Sequence, residues 1–300
     1  MLRRVATVLE MIKFAHSIFA LPFAAISMLL AGRELPNGWP YLGQVALILV
    51  CMVAARSVAM TFNRIADMHL DARNPRTAGR ALPAGLLSRA FAWGFLLVMA
   101  GLFLAGSAGF WWFYGNPWPV RLAGPVLLVI CGYSFAKRFT SLSHVWLGVS
   151  TGLAPVAAWI AVSPATCGWP AVVLGAVVLL WMVGFDIIYA LQDIEVDRRE
   201  GLFSVPARLG PARALVISRL SHAAVVVLLA WLGVLAGLGI VWYVGVFVVA
   251  VLLLVEQSLV SPTDFSKVNV AFFTMNGFVS ILLALAALTD ILLARLGQGI

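Results

Sequence analysis

The chain reads as an all-α membrane protein, a polytopic transmembrane helical bundle of about nine helices with its N-terminus cytoplasmic. Three observations predict this. Of 300 residues, 63% are hydrophobic and only 11% charged, against about 25% charged in soluble domains. The mean hydropathy is +1.02, more apolar sequence than a water-soluble core of this length hides, so bilayer is the natural solvent. Finally, apolar runs long enough for one crossing recur along the chain, and Lys and Arg collect in alternate connections between them.

Nine runs have the required length, with cores near 11–31, 43–62, 90–109, 121–136, 144–162, 170–190, 214–236, 239–257 and 269–293. The first follows Arg3 and Arg4, carries Lys13 and His16, and passes Pro22 without a small-residue cleavage site. It therefore reads as a retained helix and not a removed leader. Pro22 in this run and Pro155 in the fifth are candidates for kinks that leave carbonyls to line a cavity. The fourth run is short, and the seventh and eighth are separated by very little. The connections 32–42, 110–120 and 163–169 carry few charges, and Trp111, Trp112, Tyr114 and Trp118 read as an interfacial aromatic belt. With the N-terminus inside, the inner segments are the N-terminus itself, 63–89, 137–143, 191–213 and 258–268. Only Arg33, Arg121 and Arg295 of the 20 Lys and Arg then fall outside. The reverse orientation inverts that asymmetry, so N-in and C-out follows. No composition break divides the chain, and 1–300 reads as a single transmembrane domain.

Composition also excludes some classes. Cys51, Cys131 and Cys167 lie apart in apolar segments, which suggests neither a zinc site nor a disulfide framework. The net charge of +8 fits the positive-inside bias together with an anionic ligand, and not nucleic acid. His16, His69, His144 and His222 are not clustered and read as packing or interfacial residues. No GxxxxGK[ST] loop is present, so a P-loop nucleotide site is unsupported.

Six of the 12 Asp and Glu lie in two inner segments at helical spacing. In the first, Asn63, Asp67 and Asp71 stand four apart. A helix would stack these oxygen-bearing side chains on one face about 6 Å apart. Two carboxylates so placed repel unless a cation joins them, and oxygen donors suit a hard ion such as Mg²⁺. In the second, Asp186, Tyr189, Asp193 and Asp197 share a face at steps of three and four. Asp186 lies nearly two turns inside the apolar run, where a charge costs about 2.5–3.5 kcal/mol and should face a cavity. Arg73, Arg76 and Arg80 follow the first segment in a loop forced by Pro75, Gly79, Pro83 and Gly85. Arg198, Arg199 and Arg208 follow the second, and Tyr133, Lys137 and Arg138 close the fourth run. Acids mixed with cations suggest a metal holding a polyanion, for which diphosphate is the natural candidate. Two solvated loops whose acids balance nearby Arg, and a transporter whose acids mark an ion path, are the competing readings. Against the transporter, these acids gather near one face and no interrupted repeat marks the midplane.

These residues resemble the UbiA family of intramembrane aromatic prenyltransferases. Asn63-x3-Asp67-x3-Asp71 resembles the family's first Asp-rich motif, and Asn74-Pro75-Arg76-Thr77…Arg80-x-Leu82-Pro83-x-Gly85 its continuation. Asp186-x2-Tyr189-x3-Asp193-x3-Asp197 resembles the second motif, and Tyr133-x3-Lys137-Arg138 the family's tyrosine-lysine-arginine segment. Arg56 falls where the family often has an arginine. The likeness spans roughly residues 11–210. Asn63-Arg64 departs from the Asn-Asp of many members. With the Pro-Arg-Thr-Ala-Gly-Arg stretch it looks most like a bacterial branch labelled 4-hydroxybenzoate polyprenyltransferase.

The resemblance implies Mg²⁺-dependent transfer of a polyprenyl group from polyprenyl diphosphate to the ring of a small aromatic acid. That acid is 4-hydroxybenzoate in respiratory quinone biosynthesis, or 1,4-dihydroxy-6-naphthoate in the futalosine route to menaquinone. It implies a bacterial inner membrane, with the site facing the cytoplasm and the isoprenoid tail in the bilayer. Asn63, Asp67, Asp193 and Asp197, with Asp71 as a further candidate, would hold the metal. Arg73, Arg76 and Lys137 would meet the diphosphate, and Tyr133 and Tyr189 offer ring faces to an allylic cation. Arg56 or Arg138 would pair the acceptor carboxylate, and Asp186 or Asp67 is the candidate base. Lys13 snorkels or reaches the diphosphate.

Overall fold

In the computed structural model, residues 2–12, 20–269 and 275–297 are described, and the regular elements among them are helical. They are α1 (Leu2–Met11), α2 (Leu21–Gly32), α3 (Leu42–Ala66), α4 (Met68–Arg73), α5 (Arg89–Tyr114), α6 (Trp118–Ala136), α7 (Ser143–Val162), α8 (Trp169–Ala190), α9 (Ile194–Arg199), α10 (Val205–Leu209), α11 (Pro211–Leu235), α12 (Ile240–Ser258) and α13 (Asn276–Gly297). Eight are long and apolar enough to cross a bilayer among the described residues, and α2 is a shorter apolar helix. These nine answer to the nine apolar runs. Lys13 and His16 in the first run, and residues 270–274 of the ninth, lie outside the described residues.

Each long helix begins and ends where the local chemistry allows. Ser88 caps α5, its hydroxyl accepting from Phe91 N at 3.1 Å, and left-handed Gly115 (φ 64°) closes it. Pro22 does not kink a helix as the sequence suggested. It stands in the first turn of α2, where its missing N–H has no partner to lose. Pro155 is internal to α7, and its carbonyl accepts from Ser27 Oγ on α2 at 2.5 Å.

The core is built around α8, the helix apolar on every side. Leu174, Val177, Val178, Trp181, Phe185 and Ile188 are all buried, as expected of a helix ringed by others. Against α7 the approach is backbone to backbone. A Cβ on Gly152 would lie 2.6 Å from the Gly175 carbonyl oxygen, and one on Gly148 2.7 Å from that of Leu179. Against α11, Ser218 Oγ donates to the Gly184 carbonyl at 2.7 Å. Small residues here do what they do in membrane bundles generally, letting helix axes close up.

The two ends of the bundle differ in chemistry. At one end polar side chains tie off free carbonyls: Gln44 to Val162 at 3.1 Å, Asn116 to Ile160 at 2.8 Å, Arg33 to Ala236 at 2.8 Å, and Arg295 to Gly38. Trp111, Trp112 and Trp118 stand exposed there, as an interfacial belt would. The other end collects the acidic segments and their cations.

Candidate active site

Neither acidic segment is the one continuous helix that its spacing predicts: each breaks at an aspartate. The first leaves α3 at Ala66, passes through Asp67 (φ −95°, ψ 7°) and enters the six-residue α4. The second leaves α8 at Ala190, makes a tight 3₁₀ turn over Leu191–Asp193, passes through Asp193 (φ −109°, ψ 5°) and enters the six-residue α9. Both aspartates thus occupy the same sparsely populated bridge conformation, one frequent in active sites. In the first segment the backbone register survives the break, since Asp67 N donates to Asn63 O at 2.9 Å and Asp71 N to Asp67 O at 2.7 Å. In the second the tighter 3₁₀ turn stands between Tyr189 and Asp193, yet both meet Arg76.

The breaks bring distant parts of the chain together. Asn74 Nδ2 donates to Asp193 Oδ1 at 2.9 Å. Arg76 grips the same carboxylate with two nitrogens, at 2.9 and 2.5 Å, and donates to Tyr189 Oη at 2.8 Å. Its guanidinium also lies 5.1 Å from the Tyr189 ring centroid. Burial alone would lower the Arg76 pKa, but the hydrogen bonds and charge of Asp193, then Tyr189, outweigh burial and raise it. Asp67 receives Asn63 Nδ2 at 3.0 Å, Lys137 Nζ at 3.6 Å and Arg138 at 3.0 Å. Arg138 also donates to the Ala66 carbonyl at 2.6 Å. The loop after α9 is stitched in through Phe203 N, which donates to Lys137 O at 2.7 Å. Arg73 pairs with Glu200 at 2.8 Å. Asp197 is buried beside the Ser204 hydroxyl and within electrostatic reach of Lys137 and Asp193.

Asp71 stands apart from this group. Arg80 meets its Oδ1 at 2.6 Å and Arg64 its Oδ2 at 4.0 Å. Arg64 is buried, and it also donates to Met11 O at 3.4 Å and Asn63 Oδ1 at 3.2 Å. The residue that departs from the family pattern therefore lies at the edge of ion-pair range of Asp71 and ties α1 to α3.

Deeper in the bundle, Tyr133 lies within electrostatic reach of Arg64, Asp67, Arg56 and Asp186. Asp186 does not sit alone in apolar surroundings: His144 Nδ1 lies 2.6 Å from its Oδ2. His144 is buried, contrary to nothing in its sequence but without any sequence signal for this partner, since 42 residues separate the two. Asn74, Arg64 and Ser204 were likewise unassigned. Asn74 has a pointer in its place beside Arg76, and Arg64 in its departure from the Asn-Asp of many family members. His69 is exposed on α4, and His222 is a core residue hydrogen-bonded to Gln257 at 2.9 Å.

Among the described residues no three His, Cys, Asp or Glu side chains gather as a ready metal centre. The donors of the cluster nevertheless fit a hard divalent ion, because Asn63, Asp67, Asp193 and Asp197 offer only oxygen. Their present partners are cations of the kind that would instead hold a polyanion.

Comparison with known proteins agrees with this architecture. The sequence model of the UbiA prenyltransferase family matches residues 20–282. A 4-hydroxybenzoate octaprenyltransferase of Edwardsiella ictaluri is 32% identical over 263 residues, covering 86% of each chain. The apo structure of a UbiA homolog from Aeropyrum pernix superposes with a TM-score of 0.77 at 29% identity, over 94% of this chain and 98% of that one. A UbiA homolog from Archaeoglobus fulgidus, solved bound to DMAPP and Mg²⁺, shares the fold at TM-score 0.73 and 19% identity, over 95% and 99%. With the family match running through nearly every described helix, and both acidic segments inside it, this chain belongs to the UbiA prenyltransferase family.

Proposed function

We propose that this chain transfers a polyprenyl group from polyprenyl diphosphate to a ring carbon of 4-hydroxybenzoate, serving respiratory quinone synthesis at the inner face of a bacterial plasma membrane. The observation that carries this reading is the bridge Arg76–Asp193–Asn74. It joins two segments more than 100 residues apart in sequence into one acid-and-cation cluster at the end of an apolar bundle. The name of the Edwardsiella ictaluri relative supports the acceptor, and the ligands of the Archaeoglobus fulgidus homolog support the donor and its metal.

Asn63, Asp67, Asp193 and Asp197 are the residues that would hold Mg²⁺, with Asp71, which pairs with Arg80 apart from that group, a further candidate. When bound, the metal neutralises charge that grows on the departing diphosphate. Lys137, Arg138, Arg76 and Arg73 surround the same region and turn from their carboxylates to phosphate oxygens. Such stabilisation acts mostly in the transition state and therefore raises the rate. Tyr133 and Tyr189 present ring faces to the allylic cation. Arg56, on α3 seven residues before Asn63, would pair the acceptor carboxylate bidentately. The same chemistry on 1,4-dihydroxy-6-naphthoate is the second reading, because Asn63-Arg64 departs from the Asn-Asp of many members and leaves the acceptor open.

The test is a membrane assay with a polyprenyl diphosphate, Mg²⁺ and both acceptors. Asp67→Ala and Asp193→Ala should each lower product formation by about 10²-fold or more, and EDTA should abolish it until Mg²⁺ is restored. Undiminished turnover in both variants would remove the mechanism. Product with the naphthoate alone would move the acceptor to the second reading.

A further inference from the structure

The mechanism leaves open which carboxylate takes the ring proton, and Asp186 and Asp67 differ in availability. Asp67 has both oxygens engaged, Oδ1 by Arg138 and Oδ2 by Asn63 and Lys137. Asp186 has one, Oδ2, held by His144 Nδ1 at 2.6 Å, and 23% of its side chain remains exposed. No Lys or Arg pairs with Asp186 among the described residues.

The hydrogen bond on the far side of the imidazole decides its tautomer. Val205 N, at the start of α10, donates to His144 Nε2 at 3.2 Å. A backbone N–H can only donate, so Nε2 must carry the lone pair and the ring proton sits on Nδ1. His144 is therefore a neutral ring that points a donor at Asp186. It is 4% exposed, so water does not compete for either nitrogen. The backbone holding it is itself pinned: Phe203 N donates to Lys137 O, and Ser204 caps α10 beside Asp197.

Resting on the prenyl-transfer reading above, we infer that His144 is a positioning residue for ring deprotonation, fixing Oδ2 of Asp186 so that Oδ1 faces the acceptor as the proton-accepting atom. In this step a C–C bond forms between the prenyl C1 and the ring carbon. The C1–O bond breaks, and its electron pair leaves with the diphosphate. The ring C–H pair then restores aromaticity while the proton passes to Asp186 Oδ1. An anchored carboxylate meets that proton in one geometry, whereas an unanchored one samples several, and misplacement of a catalytic group by about 1 Å can cost 10²-fold.

The experiment compares His144→Ala, His144→Asn and His144→Gln, using acceptor carrying hydrogen or deuterium at the transfer position. An asparagine amide can present its N–H near the place of Nδ1, and a glutamine amide reaches only toward Nε2. His144→Ala should lose about 10²-fold in kcat with KM for the polyprenyl diphosphate little changed, and should show a primary deuterium isotope effect larger than the wild type's. His144→Asn should recover most of the rate and suppress the isotope effect, and His144→Gln should not. If the alanine variant does not fold, the Asn-over-Gln order alone carries the test. Equal rates for these two, or a loss of rate without a rise in the isotope effect, would mean a merely structural histidine and overturn the assignment. A wild-type chain that prenylates neither acceptor sinks the underlying reading as well, whereas wild-type turnover with an unaffected His144→Ala sinks only this one.

Discussion

Asp193 gains its importance from partners that no local pattern announces. Its spacing from Asp197 is plain in the sequence, but Arg76 and Asn74, which hold it, come from the loop that follows the other acidic segment. Charge composition predicted that acids and cations would share a face, and it could not say which would pair. Arg76 is a fork matched to a carboxylate, and lysine offers a single point charge on a flexible stem. Arg76→Lys should therefore lower kcat/KM for the prenyl donor roughly tenfold while leaving the amount of membrane-inserted protein unchanged. Equal kinetics in the two forms would show that geometry at this position does not matter. His144 was harder still to read. A histidine acquires a function through what its two nitrogens touch, and here those partners lie 42 and 61 residues away.

At the level of elements, nearly all of the long helices were legible, because a bilayer demands about 20 apolar residues per crossing and leaves few alternatives. What escaped notice was the interruption at each acidic segment. No glycine or proline stands at residue 67 or 193, so nothing in local propensity announces a break. Those turns follow from the contacts made beyond them, by α4 with its loop and by α9 with residues 203–205. The glycines of α7 and α8 tell the opposite story, since their crowding follows from residue size alone. Gly152→Val would press a branched side chain against the Gly175 carbonyl and should cost about 1–3 kcal/mol. That change is visible as a lower melting temperature in detergent, accompanied by no change in KM for the acceptor. A valine variant as stable as the wild type would show that the two helices can separate without penalty.

For the molecule as a whole, the uneven distribution of Lys and Arg predicts an orientation with the N-terminus inside. A labelling experiment tests it. Asn37→Cys and Ser266→Cys place thiols in exposed loops, on connections assigned by the charge count to opposite faces. In intact cells a membrane-impermeant maleimide should modify position 37 and spare position 266. In inside-out vesicles the pattern should reverse, measured in each case above the background of the native cysteines. The opposite pattern would turn the molecule over and put the acid-and-cation cluster on the outer face.

For the long-tailed donor proposed above, the segregation of polar chemistry to one end of an otherwise greasy cylinder sets how protein and donor meet. Only the anchored headgroup has to reach the loops, and the tail can remain among acyl chains throughout. The encounter is then a search within a leaflet, in two dimensions. Its saturation should follow the mole fraction of donor among the lipids and not the amount per litre of suspension. Added inert lipid should accordingly slow the catalyst at constant total donor, a dilution that no enzyme drawing on dissolved substrate would feel.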